Sequence, residues 1–504
     1  MSAALETGPL VVAESAFAAS RGLFEQVATD LTSPDAAVLT HSGLEDLLAA
    51  RMREVTRQLF QDHLDLRAVR ERRADPVVDA AGVERTRIER GRTRILATVF
   101  GKVTATRIAY RTTGSADLHL ADAALNMPAG MHSLGLAKLA ATESARGSFA
   151  EAVNRVNALT GAGIGHRQVQ ELAAADIDAF YQALVPEPCT DATLLVLSTD
   201  GKGVVIRPEA LREATAKAAA AKNGNKMASR LAPGEKNGRK RMATLGTVYD
   251  TEPAVRGVDD IIADPADPVK ERRPGPKARS KWLCGSVNDT AEQVIAAVFD
   301  QTEARDPGHR RTWVVLVDGA RHRLDLIRAE AARRNVTVHI VIDISHVLEY
   351  LWGAAHCLHP AGDRAAETWV AQHARTILAG GSEQAAASIS AAADAVGLRP
   401  GSRKGIDDAI GYLKNKAAYL RYDTALTEGF PIATGIIEGA CRHLVKDRLD
   451  ITGARWGLSG AKAVLKLRAP RSNGDFDTYW AWQETQEFTR NHQARYRDTL
   501  IPAA

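Results

Sequence analysis

Trp313-Val314-Val315-Leu316-Val317-Asp318-Gly319 is a short apolar run, rich in β-branched residues, that stops at an acid and a glycine. A run of this kind predicts a strand buried on both faces, whose end delivers a carboxylate to the edge of a sheet. Arg321 to Arg334 predicts a helix, and Val336 to Ile342 a second such strand ending in Asp343. Far upstream, Thr193-Leu194-Leu195-Val196-Leu197-Ser198-Thr199-Asp200-Gly201 repeats the pattern. Three strands that each end in Asp predict a carboxylate cluster on one sheet.

The flanking chain supplies the rest of that sheet. Asp200-Gly201-Lys202-Gly203 predicts a tight hairpin turn into Val204-Val205-Ile206-Arg207, and strand character resumes at Arg241 to Asp250 and Trp282 to Val287. Asp259 to Ser280, rich in Pro, Asp and Arg, reads as a mobile excursion. Thr290 to Arg305 is an amphipathic helix leading into the Asp318 strand. After Asp343 the pattern is helical: Ser345 to Leu358, with Ser345 as its N-cap, then Ala365 to Leu378, Ser382 to Val396 and Ile406 to Leu420. A loop at Gly429 to Gly435 precedes a helix from Ile436 to Asp447 that carries Glu438, and the last helices hold Trp456, Trp480 and Trp482.

The N-terminal part has another character. Met1 to Ser42 predicts short helices. Gly43 to Arg73 has helical periodicity, with arginines on its polar face. Arg94 to Tyr110 alternates around Gly101-Lys102 and predicts a β-hairpin. Leu118 to Met131 reads as loop, and His132 to Leu184 as helical. Within it, Ser148 caps a helix to Leu159, glycines 161, 163 and 165 break it, and a second helix starts near His166. The arrangement is like a helix-turn-helix, with Arg167, Gln168 and Gln170 where base-reading residues would sit. Two helices around glycines are more often plain packing.

Net charge is only +4, but the basic residues cluster: Arg51 to Arg94, then Lys222 to Arg241, then Lys270 to Lys281. Such clusters suit phosphate backbone as well as a solvated, acid-balanced surface. No apolar run is long enough to span a bilayer, and the N-terminus lacks the pattern of a secretory signal. Four scattered cysteines, with no Cys-x-x-Cys, argue against a zinc ribbon or a disulfide framework and fit a reducing cytoplasm.

The order of strands and helices is that of an α/β, ribonuclease H-like catalytic core with a helical insertion. A mainly helical N-terminal DNA-binding region containing the hairpin precedes it. Expected segments are 1–90, 91–185 with the helix-turn-helix-like part, 190–345 for the first part of the core, 346–428 for the insertion and 429–504 for the Glu-bearing and C-terminal helices. In that order Asp200, Asp318 and Glu438 converge. Three carboxylates repel as a bare cluster, and a pair of Mg²⁺ ions, with Mn²⁺ as a substitute, resolves this. Two such ions, roughly 3.5–4 Å apart, clamp the attacking and leaving oxygens of a phosphodiester displacement. Asp343 is the rival for the second metal position, and with His346 it is an auxiliary candidate. Arg442 and Lys446, at i+4 steps from Glu438, are expected on its face beside DNA, although a Glu438–Arg442 surface ion pair is the plainer alternative.

Ser198-Thr199-Asp200-Gly201, Val317-Asp318-Gly319-Ala320, Ile342-Asp343-Ile344-Ser345-His346 running on to Trp352, Gly435-Ile436-Ile437-Glu438-Gly439-Ala440-Cys441-Arg442 running on to Arg448, and Thr452-Gly453-Ala454-Arg455-Trp456 together resemble the ISKra-type insertion-sequence transposases. These belong to the DDE class, and the Asp-x-x-His at Asp343 resembles the motif of Mutator-like elements. The resemblance runs from about Phe100 to Trp480. It implies that Asp200, Asp318 and Glu438 form the DDE triad, that the chain acts on DNA at terminal inverted repeats and targets, and that it assembles as a homo-oligomer in the nucleoid. The basic excursions from Glu209 to Lys281 depart from the family pattern. A nuclease that cuts without joining, and a non-catalytic DNA-binding derivative, are the alternatives.

Overall fold

In the computed structural model, which describes residues 16–172, 177–184, 190, 193–221, 239–263, 271–360, 362–451 and 453–502, Thr40 caps a 30-residue helix, α1 (His41–Arg70), by accepting from the Gly43 amide. Two strands follow, β1 (Arg87–Thr98) and β2 (Gly101–Arg111), paired antiparallel as the predicted hairpin. Helix and hairpin are pinned together: the Gln61 side chain donates to Thr104 O and accepts from Thr104 N, at 2.9 and 2.8 Å. Where a loop was expected, Leu120–Ala124 forms a short helix, its Leu120 and Ala123 buried under the hairpin with Tyr110 and Ile108.

Helices α2 (Leu134–Arg146), α3 (Phe149–Thr160) and α4 (His166–Leu172) pack around Leu136, Ala140, Val156, Ile164 and Val169. Ser148 and Glu151 form a reciprocal capping box at α3, and Gly161 ends it at φ +64°. The last long helix, Phe476–Asn491, joins these elements: Tyr479 and Trp482 meet Phe180 edge-on at 5.5 and 5.7 Å, and Asn126 donates to Glu484 O. Residues 1–180 and 476–504 thus make one unit and 181–475 a second. The stretch 429–504, expected as one piece, is divided between them.

The second unit is built on a five-stranded sheet of β3 (Leu194–Ile206), β4 (Arg239–Thr251), β5 (Arg279–Ser286), β6 (Trp313–Val317) and β7 (Val338–Ile342), in the order β5-β4-β3-β6-β7. β4 is antiparallel to both neighbours, while β3, β6 and β7 run parallel. All five residues of β6 are buried, because α5 (Ala291–Arg305) and α6 (Arg321–Arg334) contribute Val298, Phe299, Leu324 and Ile327 to the same core. That core continues into the helices after β7, so residues 346–428 share it rather than forming a separate body. There α7 (Ile344–Leu358) crosses α8 (Lys404–Lys416) at two glycines. A Cβ on Gly405 would sit 2.2 Å from Gly353 O. Gly405→Ala is therefore expected to cost about 2 kcal/mol or more by overpacking. Thermal denaturation checks this, and an unchanged melting temperature would contradict the crossing.

One expectation in this unit is overturned by the strand pairing. Asp200-Gly201-Lys202-Gly203 is not a turn: β3 runs straight through it, each residue paired with β4 from Asp200↔Leu245 to Gly203↔Met242. Neither glycine has a positive φ. Gly203 instead makes room for Lys240, whose Cδ would meet a Cβ at 2.7 Å. The excursion Asp259 to Ser280 is tied down at its described ends, since Asp260 accepts from Gly257 N, Arg273 N and Arg273 Nε at 2.7 to 3.0 Å. Residues 185–189, at the junction of the expected segments 91–185 and 190–345, together with Met1 to Ser15, Lys222, Lys226, Arg230, Lys236, Lys270 and Thr452, lie outside the described residues. Among the described residues no helix is long and apolar enough to cross a membrane.

Candidate active site

Strand pairing alone sets the first two carboxylates side by side. Ser198 of β3 lies opposite Leu316 of β6, and its hydroxyl donates to Leu316 O at 2.7 Å. Asp200 and Asp318 each follow two residues later, so with a period of two both stand on the same face. Asp318 ends its strand at Gly319, whose φ of +82° and closeness to Tyr412 Oη, 2.8 Å from a would-be Cβ, exclude any side chain there. Tyr412 donates to Asp318 O at 3.3 Å. Burial first, then Tyr350 and Asp318, push this phenol above its ordinary range, so it remains a donor.

The two carboxylates meet one cation. Arg323, in the first turn of α6, lies 2.9 Å from Asp318 Oδ1 and 3.4 Å from Asp200 Oδ1 through a single nitrogen, Nη1. Both acids remain about a third open to solvent, with side-chain exposures of 30% and 27%. Cys441 Sγ donates to the other oxygen of Asp200 at 3.2 Å. Burial, then the charge of Asp200, raises this thiol above its ordinary pKa, which keeps its proton in place.

Glu438 lies one turn before Cys441 on the helix α9 (Gly435–Ala440). Its Oε1 accepts from the Thr434 hydroxyl at 3.1 Å, and the same hydroxyl lies closer still to Asp343 Oδ2. A hydroxyl has one proton to give. Asp343 takes it at the shorter distance, so Glu438 is the more loosely held of the two. Asp343 is fully buried and is itself the cap of α7, accepting from Ser345 N at 2.8 Å; the cap is not Ser345 as expected. Its amide donates to Val317 O, one residue before Asp318. The four acids thus share one end of the sheet in two hydrogen-bonded sets: Asp200 and Asp318 around Arg323, and Asp343 and Glu438 around Thr434.

The remaining candidates sit outside these sets. His346 faces Glu349 of its own helix at 3.2 Å. α9 runs on into a π-turn, Cys441–Lys446, on which Arg442 and Lys446 are both exposed. Arg442 is 72% exposed and faces Asp447, with no Glu438–Arg442 pair among the described residues. In the first unit Arg167 is exposed and paired with Glu171 at 2.8 Å, Gln168 accepts from Gly165 N at the start of α4, and Gln170 is half-buried. Of the arginine cluster, Arg85 is buried against Asp79, while Arg53, Arg67, Arg70 and Arg72 are exposed and form no ion pair among the described residues. Arg323, Thr434 and Cys441 were not singled out in the sequence. The one available signal was spacing, since Thr434 precedes Glu438 by four residues and Cys441 follows it by three.

Asp200 and Asp318 suit a hard cation: two carboxylates already converge on one positive charge and offer oxygen donors. Glu438 is not in contact with that pair, and among the described residues no group of three His, Cys, Asp or Glu stands close enough to hold an ion. No family model and no curated protein matches the chain.

Proposed function

We propose that the chain is a DDE transposase that binds the ends of its own mobile element, frees a 3′-hydroxyl by hydrolysing a phosphodiester, and joins that hydroxyl to target DNA. The observation that carries this reading is the in-register pair of Asp200 and Asp318 on adjacent parallel strands, both turned to one cation. Numbered within its own sheet, the strand order is 3-2-1-4-5 with the second strand reversed, which supports a ribonuclease H-like core.

Asp200 and Asp318 would hold Mg²⁺, and Glu438 is the third candidate ligand because Thr434 gives its only proton to Asp343 first. Divalent ions bound there neutralise charge on the attacking and leaving oxygens. The chain's own groups do the positioning. Arg323 holds the two aspartates together, Cys441 orients Asp200, and Tyr412 fixes the turn that carries Asp318. A Mg²⁺-dependent assay on element-end DNA tests the reading by following both cleavage and joining. Cleavage without joining would favour a nuclease, and binding with neither would favour a non-catalytic derivative.

DNA contact is assigned to the exposed, unpaired arginines of the first unit, and assembly as a homo-oligomer on DNA belongs to the same proposal. With six or more phosphates neutralised, affinity for end DNA is expected to fall by about 10³-fold between 50 and 200 mM salt. Arg67→Ala and Arg70→Ala should each reduce the salt slope by about one. Fluorescence anisotropy at several salt concentrations measures it, and a flat salt dependence would count against this surface.

A further inference from the structure

In the first unit, the hairpin, the short helix Leu120–Ala124 and the segment 491–496 enclose a cavity of about 230 Å³. Its wall is cationic. Arg107 is buried, with Nε 2.6 Å from Asp122 Oδ1, and Arg94 Nη1 lies 3.8 Å from the other oxygen of Asp122. Arg495 also lines the cavity, is exposed, and makes no ion pair among the described residues. Two guanidiniums therefore share one carboxylate, and the third has no carboxylate partner among the described residues. The other acid lining the cavity, Asp117, is taken up by Arg111 at 3.1 Å, and Glu71, near Arg107, has one oxygen on Ile108 N.

The polar groups are also held so as to face inward. Arg94 Nη2 donates to the carbonyls of Pro128, Ala129 and Gly130, which fixes its plane. His119 and His492 each use one ring nitrogen on a backbone carbonyl, Ile108 O at 3.1 Å and Met127 O at 2.9 Å, leaving the second nitrogen of each unbonded among the described residues. Burial, together with neighbouring guanidiniums, lowers the pKa of Arg94, His119 and His492, as expected where positive charge exceeds its compensation.

We propose that this cavity is a phosphate-binding site, in which Arg94, Arg107 and Arg495 take the charge, and His119 and His492, protonated by the bound anion, donate from their second ring nitrogens to its oxygens. Guanidiniums are suited to this task because their forked donors match phosphate oxygens. If the phosphate belongs to a DNA backbone, the site extends the transposase reading; a free phosphate would fill it without that reading.

The test uses the full chain, thermal melting in inorganic phosphate against chloride at equal ionic strength, and anisotropy with an end-DNA duplex. Phosphate is expected to raise the melting temperature of the wild type by about 2 °C or more, and Arg495→Glu, exposed and unpaired, to lose that rise while keeping its fold. His492→Gln, which can still donate to Met127 O, should show a reduced rise. A parallel tenfold or greater drop in duplex affinity in Arg495→Glu would identify a backbone phosphate, and unchanged duplex affinity a free one. No phosphate-specific rise in the wild type, or an undiminished rise in Arg495→Glu, overturns the proposal. Neither readout involves strand cleavage, so this site and the transposase reading can fail separately.

Discussion

Asp318→Ala is expected to abolish metal-dependent strand cleavage, a loss of about 10³-fold or more, while the protein stays folded. Asp318 stands at the end of β6, partly open to solvent, and among the described residues its carboxylate holds the Ala320 amide at 3.0 Å and Arg323 at 2.9 Å. Neither loss leaves a deeply buried group without a partner, so the stability change should stay within about 1 kcal/mol. Asp343→Ala should behave in the opposite way. It strips a fully buried carboxylate from the N-terminus of α7 and from the Thr434 hydroxyl, at a cost of about 1–3 kcal/mol. Comparing cleavage rates and melting curves of the two variants separates a chemical acid from a structural one. Near-normal cleavage by Asp318→Ala, in a protein that melts like the wild type, would remove Asp318 from the chemistry.

The second large effect belongs to Glu438→Gln. Glutamine keeps the size of glutamate, and its amide N–H can donate to the Thr434 hydroxyl oxygen, whose proton goes to Asp343, so the helix keeps its place. What disappears is the charge. The variant is expected to fold and bind end DNA as the wild type does, and neither to cut nor to join it. Lys446→Ala, on the exposed side of the π-turn, should weaken DNA binding and leave the remaining activity metal-dependent. If Glu438→Gln retains strand transfer at near the wild-type rate, the third acid must be sought elsewhere, and buried Asp343 becomes the nearest alternative.

What the sequence made legible was local. The runs at β6 and β7 are both strands, but only β6 is buried throughout; β7 lies at the sheet edge, with Val341 and Ile342 alone buried, while Ser148 announced the start of α3. Ser345 offered a plausible cap for α7, but the side chain that accepts is that of Asp343. Asp200-Gly201-Lys202-Gly203 had every mark of a turn. Thirteen residues of β4 override it, because a continuous ladder satisfies more backbone groups than a hairpin would. Arg323 was invisible for a different reason. Its meeting with Asp200 depends on β3 and β6 being neighbours, a pairing between segments more than a hundred residues apart. The π-turn at Cys441–Lys446 likewise has no periodic signature in the residues themselves.

The division of the chain bears on its birth at the ribosome. Residues 181–475 are synthesised between the two stretches that make up the first unit. A nascent chain can therefore complete the sheet and its carboxylates while the first unit still lacks Phe476–Asn491. His492 and Arg495, which line the cationic cavity, emerge after the whole of the second unit. A chain interrupted near residue 475 would carry the acids without the finished cavity, so the proposed hold on phosphate would require synthesis to have passed residue 495.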